Sequence, residues 1–420
     1  MKSRRAVVIG GGIAGLLAAR VLSESMDSVL VLEKDSQMGA NIPRAGVPQG
    51  AHLHVLLKRG QKILTDLFPG IEQRYDEHSC PIIDWSEDTA WENRLGRFPR
   101  YRSTVQTRMF SRPFLESQIY DLVSNITNVS FVKTEVTGFE FAGEKVARVF
   151  CRDQSYYEGD LIVLAGGAYF PLKQLLPDLP IAEHTDVFPV DITYRSATFA
   201  TDSLKFRGMK QYYYQFLPPN DALGAVISPI EQGRTVATLI EHNRQESLQA
   251  NLVEYKTHAQ KVPGGVASHI LADANPLTKV SVFFKPNMHL RRLDRISKFP
   301  TNLIAMGDVV CSLNPVFGQG MTSALLQAEL LRQLLKKSSF SSRQFHSDLI
   351  AKIRVPFLLS KMGSDTRDSF TKRYLLNYLR QCQQSRAIHR KFLKVLHLEG
   401  RVVDLVNIQC FIATILRRSP

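Results

Sequence analysis

Three clusters in this chain have residue types and spacings that could do chemistry. The first is a glycine triplet, Gly10, Gly12 and Gly15, in "VVIGGGIAGLLAARVL". The second is a histidine pair, His52 and His54, in "VPQGAHLHVLL", a segment with no other titratable side chain. On an extended strand, side chains two apart point to the same side. The pair could therefore ligate a metal, act as acid and base, or flank a cofactor. The third is "NLIAMGDVVCSLNPVFGQGMTSALLQAELL", which carries Asp308, Gly318 and Gly320.

The elements around the triplet give it meaning. "RAVVIGG" is a short β-branched run, "IAGLLAARVLSES" has helical apolar spacing, and "SVLVLEK" is a second buried run. In a strand–turn–helix–strand unit, Gly10 serves the tight turn, Gly12 the close approach of a pyrophosphate, and Gly15 helix–strand packing. The phosphates then sit at the positive end of the helix. Glu33 ends the second strand 18 residues after Gly15, placed to accept hydrogen bonds from ribose hydroxyls. Ala14 and Lys34 adjoin these positions and belong to the same candidate set. The third cluster separates FAD from NAD: its strand delivers Asp308 to a loop where a carboxylate can hold the ribityl chain. The Gly318 and Gly320 amides, with Met321 next to them, then face the flavin's pyrimidine edge.

Along the rest of the chain, "RPFLESQIYDLVSNI" reads as a helix followed by β-rich runs ending in "GDLIVLAGG". From about 186 to 284 alternating strands appear ("FPVDITYRSATFA", "QYYYQFLPP", "ALGAVISPI", "GRTVATLIEH"), the pattern of an antiparallel sheet. The aromatic residues there (Tyr194, Phe199, Tyr212, Tyr214, Phe216) read as core before pocket, and no catalytic residue is assigned. Arg291 and Arg292 read as surface or ion-pair residues.

Bulk properties narrow the class. The five cysteines are widely spread with no C-x-x-C, which points to reduced structural thiols. No histidine, cysteine or acidic cluster accompanies the histidine pair, so no metal is expected. Too few apolar residues precede the first glycine for a signal peptide, and the chain is expected to be cytoplasmic. The net charge of +14 is concentrated: residues 331–420 hold 18 Lys and Arg against 5 Asp and Glu. Such a region implies an anionic partner. Its longest mainly apolar stretch, Val402 to Leu416, is 15 residues with Asp404, Asn407 and Gln409 inside, too short and polar to span a bilayer. Two readings stay open: an amphipathic helix on an anionic membrane, with Arg417 and Arg418 at its end, or a basic helical cap on the rest of the protein. Nucleic acid is not an expected partner.

With these residues in view, the chain resembles the FAD-dependent monooxygenases of the aromatic-hydroxylase fold, and within them the squalene-epoxidase-like and polyether-epoxidase-like branch. The resembling pieces are "VVIGGGIAGLLAARVL", "RAGVPQGAHLHVLLKRGQKILTDLFPGI", "SRPFLESQI", "RRLDR" and "GDVVCSLNPVFGQGMTSALLQA". The resemblance implies that Arg112, opening the helix of the "SRPFLE" segment, reaches the flavin. It places Val136 against adenine, Asp308 at the cofactor's sugar and phosphates, and the "PQGAH" turn, with Gly50 and with His52 or His54, against the flavin ring or its phosphates. It also implies a flavin hydroperoxide formed from reduced flavin and O2. The chain departs from the family at "LIVLAGGAYFPL", where Leu164, Gly166 and Gly167 replace a turn that carries an Asp in relatives. It departs again at Ala51, where relatives often have arginine. The "WxWxIP" motif of flavin halogenases is absent, and "DWSEDTAW" (Trp85, Trp91) is no substitute for it.

The expected fold is α/β. A discontinuous Rossmann-like FAD domain spans 1–180 and 285–335, an antiparallel-sheet substrate domain spans 181–284, and a basic helical region spans 336–420. The expected function is insertion of one oxygen atom of O2 into a lipophilic small molecule, by epoxidation or hydroxylation, in secondary metabolism. Electrons would come from NADPH, NADH or a separate flavin reductase, and peripheral membrane attachment would run through the C-terminal helices. The alternatives are a flavin-dependent isoprenoid reductase or dehydrogenase, whose "YxWxFP" signature "YYYQFLPP" imitates without the tryptophan, and a flavin-binding protein without turnover.

Overall fold

The computed structural model describes residues 3–243, 250–337, 340–364, 367 and 369–416. Arg417 and Arg418 lie outside the described residues. The apolar runs become a five-stranded parallel sheet in the order Leu303–Ala305, Leu161–Leu164, Arg5–Ile9, Ser28–Glu33, Val129–Lys133. The "LIVL", "AVVI" and "LIA" stretches are buried at every position, as expected of parallel strands covered on both faces. The Ile13–Leu22 helix follows the first strand and packs against the Arg112–Ser124 and Gly320–Leu335 helices. A small antiparallel sheet, Val136–Ala142, Lys145–Cys151 and Tyr156–Tyr157, flanks this unit.

The second sheet has eight strands: Cys311–Ser312, Ser281–Arg291, Thr185–Ala200, Arg234–His242, Leu223–Ile230, Gln211–Tyr214, Thr89–Asn93 and Gly96–Arg97. It reaches beyond residues 181–284 at both edges. Thr89–Asn93, with no strand signal of its own, pairs parallel to Gln211–Tyr214, whereas the other pairings are antiparallel. Strand alternation divides the tyrosine run. Tyr212 and Tyr214 join Phe199 and the Leu252–Lys261 and Val266–Leu271 helices in a buried cluster. Tyr213 faces the opposite side with Trp91, 5.2 Å between ring centres.

The basic C-terminal region is a cap. Its first helix, Ser342–Ser364, buries Phe345, Leu349 and Ile353 against the parallel-sheet core. His346 Nε2 accepts the Ala305 N–H at 3.0 Å, tying that helix to an edge strand. The Phe370–Gln384, Arg386–Leu396 and Ile408–Leu416 helices close over Trp85, Trp91, Phe98 and Leu217. Among the described residues, no helix is long and apolar enough to cross a membrane. All five cysteines are buried as free thiols.

Candidate active site

One cavity of about 1030 Å³ runs from the glycine turn, past the Gly307–Met321 segment, to the aromatic face of the large sheet and its helical cap. The candidate cofactor residues from the sequence line it, except Gly15, Gly50 and His52.

The glycine turn is built as its spacing demands. Gly10 has φ +107°, and a Cβ there would stand 2.7 Å from the Ala165 carbonyl. A Cβ on Gly15 would fall 1.8 Å from the Gly10 oxygen, so Gly15 works by packing the helix on the turn and not by lining the site. Gly12 caps the Ile13–Leu22 helix in extended backbone, and its missing Cβ opens on the cavity with nothing nearer than Arg44 Nη2 at 3.8 Å. Ala14 sits in the first turn of that helix, within the cavity wall. This is the cradle an anionic phosphate needs at a helix N-terminus.

Glu33 is buried at the end of its strand, where its carboxylate accepts the Gly11 N–H at 2.6 Å and the Asp35 N–H at 2.9 Å. Beside it lies Arg44, which sequence reasoning missed. Arg44 is buried within 3.7 Å of Glu33, 3.5 Å of Asp35 and 3.4 Å of Glu116, and it donates to the Gly11 carbonyl at 3.3 Å. Glu116 also accepts from Arg112 at 3.0 Å, so one carboxylate steers both guanidinium groups that reach the cavity. Lys34 is exposed and pairs only distantly with Glu135, at 4.0 Å. Thr134, next to Val136 on the cavity wall, has a buried hydroxyl without a protein partner. A buried hydroxyl of this kind calls for a ligand or water.

At the middle of the cavity, Gly307 (φ +64°) lets the chain pass Ala14, whose Cβ would be 2.6 Å from a side chain there, and so delivers Asp308 to the wall. Gly318 (φ +62°) turns the chain into the Gly320–Leu335 helix, with Gly320 and Met321 at its start. The Gly307 amide donates to Gln327 Oε1 at 2.7 Å and the Gly318 amide to the Pro315 carbonyl at 3.1 Å, so both are engaged in holding this turn.

The histidine pair is divided. Pro48–Ala51 forms a single 3-10 turn, and the next helix begins at Lys58. Gly50 is an ordinary member of that turn: it lies outside the cavity wall, and a Cβ would meet nothing nearer than Val47 at 3.7 Å. His52 is buried behind the wall with Nδ1 2.7 Å from the Ser196 hydroxyl. His54 lines the cavity, and its Nδ1 lies 2.9 Å from the His52 carbonyl. A carbonyl only accepts, so Nδ1 carries the proton and Nε2 keeps its lone pair. Burial, with Arg112 nearby, pushes the His54 pKa down to about 3, so the ring is neutral.

The far end of the cavity is aromatic and apolar. Tyr194, Tyr213, Phe283 and Trp91 come from the sheet, Trp85 and Phe216 from segments that flank its strands, and Tyr378, Phe392 and Phe411 from the cap. Lys285 is a buried exception; it donates to the Ser312 hydroxyl, and burial pulls its pKa down. Lys285 also borders a smaller cavity of about 220 Å³ with Tyr169, His289 and Arg291. Arg292 pairs with Asp294 at 2.6 Å, whereas Arg291 turns inward and donates to the Val309 carbonyl.

Comparison with known proteins agrees with this layout. Residues 8–74 match the family model described as NAD(P)-binding Rossmann-like domain. Protein Rv3254 of Mycobacterium tuberculosis is 31% identical over 348 residues, covering 79% of this chain and 73% of that protein. The FAD-dependent monooxygenase andE of Emericella variicolor is 24% identical over 363 residues, covering 80% and 70%. This chain belongs to one family with Protein Rv3254, and its fungal relatives are FAD-dependent monooxygenases. Other fungal members align over only about a third of their own length. Among solved structures, a triple mutant of the flavin-dependent brominase Bmp2 superposes with TM-score 0.70 at 15% identity, over 98% of this chain and 97% of that one. That likeness is one of fold.

Within the family frame, the residues that sequence reasoning overlooked share a cause. Arg44, Thr134 and Glu116 carry no motif spacing. Only the closeness of "LEKD", "PRAG" and "RPFLE" in space joins Arg44 and Glu116 with Glu33 and Asp35 in one charged cluster. A buried arginine with three carboxylates around it leaves no periodic trace in a loop.

Proposed function

We propose that this protein binds FAD and inserts one oxygen atom of O2 into a lipophilic small molecule, by epoxidation or hydroxylation, in secondary metabolism. The observation that carries this reading is the single continuous cavity, polar and glycine-lined at one end and aromatic at the other. Bound FAD supplies the electron transfer and oxygen activation, chemistry that no side chain provides.

The chain's own residues would do the rest. Gly12 and the Ile13–Leu22 helix would receive the pyrophosphate, Glu33 the ribose hydroxyls, and Thr134 and Val136 the adenine end. Arg44, anchored by its carboxylates, would stand beside the phosphates. Asp308, Gly318, Gly320 and Met321 would hold the ribityl chain and the ring's polar edge, and Arg112 the ring itself. His54 would offer a neutral Nε2 acceptor to a hydroxyl of substrate or cofactor. The aromatic end would exclude water and hold an apolar substrate by contact area. NADPH, NADH or a separate reductase would supply electrons; the smaller cavity bordered by the cations Lys285 and Arg291 is where an anionic donor would be attracted.

The test is purification followed by turnover with isotopically labelled O2 and candidate polyenes or aromatics. Bound yellow flavin and label in the product are expected. Protein that takes up no flavin refutes the reading, and substrate reduction without O2 replaces it with a reductase.

A further inference from the structure

The last described helix, Ile408–Leu416, buries one face and leaves the other bare. Cys410 is buried, and Thr414 is buried and accepts from Asn377 Nδ2 at 3.1 Å. Ile408, Phe411, Ile412 and Ile415 are exposed by 75%, 50%, 49% and 53%. A stripe at i, i+3, i+4 and i+7 ordinarily faces a core. The preceding turn extends it with Val403 and Val406, 57% and 71% exposed. Single exposed aliphatics are commonplace, but a contiguous run of them marks a contact surface.

Two further observations say what covers it. Val406, Ile408 and Phe411 also line the large cavity, so being exposed and cavity-lining at once they form the rim of its opening. The Arg386–Leu396 helix packs against the Val402–Leu405 turn and exposes Arg386, Arg390, Lys391 and Lys394. The nearby acids are engaged elsewhere: Asp404 accepts the Arg401 N–H at 2.8 Å, and Glu399 pairs with Lys62 at 2.6 Å. An apolar stripe beside unneutralised cations fits an anionic lipid interface. A second copy of the same face would bring the cations together, which opposes self-pairing.

We propose that this rim lies on an anionic lipid surface, its aliphatic side chains at the headgroup–acyl boundary and the cations among the headgroups. The cavity then opens toward the bilayer and not toward water. The docking stands on exposed residues alone; delivery of a lipophilic substrate through the rim rests also on the flavin reading.

The test floats the 420-residue chain, loaded with FAD, with vesicles of phosphatidylcholine alone or mixed with phosphatidylglycerol. Binding to the mixed vesicles, weakened by salt, is expected. The double variant Ile412→Asp/Ile415→Asp should lose roughly tenfold or more in partition, with an unchanged unfolding temperature and unchanged flavin content. Should that variant not fold, Lys391→Glu/Lys394→Glu, on an exposed helical face, must weaken binding to the mixed vesicles selectively. Absence of binding to either vesicle, or binding that neither variant changes, overturns the proposal. Self-association that the aspartates abolish, without vesicle binding, makes the face a dimer interface and also overturns it. Loss of turnover with intact vesicle binding would count against the flavin reading alone.

Discussion

Gly12→Ala and Gly15→Ala differ by three positions in one turn, yet they should fail in different ways. At Gly12 the backbone has φ −76° and ψ −178°, extended geometry open to any residue, and the new Cβ meets nothing closer than 3.8 Å. The apo protein should therefore keep its stability, or gain about 0.4–1 kcal/mol from a stiffer unfolded chain. The added methyl would occupy the space a pyrophosphate needs in order to reach the helix amides. Losing one or two charge-assisted hydrogen bonds of about 1.5–3 kcal/mol each should weaken FAD binding at least tenfold. At Gly15 the Cβ would sit 1.8 Å from the Gly10 carbonyl oxygen, a backbone atom that cannot swing aside. Relief requires moving the helix off the sheet, which should cost more than about 3 kcal/mol and lower the unfolding temperature with or without flavin. Thermal unfolding of both apo variants, with FAD titration by flavin fluorescence, separates the outcomes. Gly12→Ala protein that binds FAD within twofold of wild type, or that unfolds as early as Gly15→Ala, would refute the assignment of the cradle.

Arg44→Met strands Glu33, Asp35 and Glu116 together. It should cost about 3 kcal/mol at neutral pH, measured by urea unfolding. His54→Phe keeps an aromatic ring but removes the Nε2 acceptor; kcat/KM should fall roughly tenfold or more, while the unfolding temperature shifts little. Acid should destabilise the fold through its buried histidines. His52, His289, His346 and His389 are each pushed down to about 4 by burial, and the unfolded chain binds protons from about pH 6.5. Below that pH the unfolded state carries more protons, so stability present at pH 7 is lost as pH falls, at up to about 1.4 kcal/mol per pH unit for each ring. Circular dichroism melts between pH 7.5 and 5 (the range is about where these rings begin to titrate) should show a falling midpoint, and His346→Gln should flatten the slope.

The parallel sheet and the glycine turn were legible because each rests on local patterns: β-branched runs buried on both faces, and glycines where a Cβ cannot fit. The edges of the large sheet were not. Thr89–Asn93 pairs with a strand more than a hundred residues on, and "TAWEN" has neither alternation nor turn signals to announce it. The tyrosine run shows how thin the margin is between pocket and core. Its type was readable as strand, but which of Tyr212, Tyr213 and Tyr214 meets the cavity depends on register, and one residue of slip exchanges the faces. The cap was similarly hidden. Amphipathic spacing in residues 370–416 states that one face is apolar, and not whether a protein core or a lipid covers it. The structure shows that protein covers one face and leaves the other bare, because Cys410 is buried while Ile408 and Ile412 are exposed.

The histidine pair shows why spacing alone misleads. Same-side placement at a separation of two holds for a strand, but residues 52–57 leave a 3-10 turn and never join a sheet. The stretch is pinned by turns from opposite sides. Toward the large sheet, His52 bonds Ser196 at 2.7 Å and the Leu53 N–H donates to Thr238 Oγ1 at 3.1 Å. Toward the Gly320–Leu335 helix, the Leu57 N–H donates to Thr322 Oγ1 at 3.1 Å, and Val55 lies where a Cβ on Gly318 would meet it at 3.3 Å. Six residues thus join the glycine loop of one domain to the aromatic face of the other. A neutral His52 suits this task, since a charge there would be buried beside Tyr194 and Phe283 with a single hydroxyl to meet it. His54, held by the carbonyl of His52, inherits its orientation from that anchor. The pair therefore works as a fastener and the group it presents, and the distance between cofactor loop and aromatic pocket is set where no motif would place it.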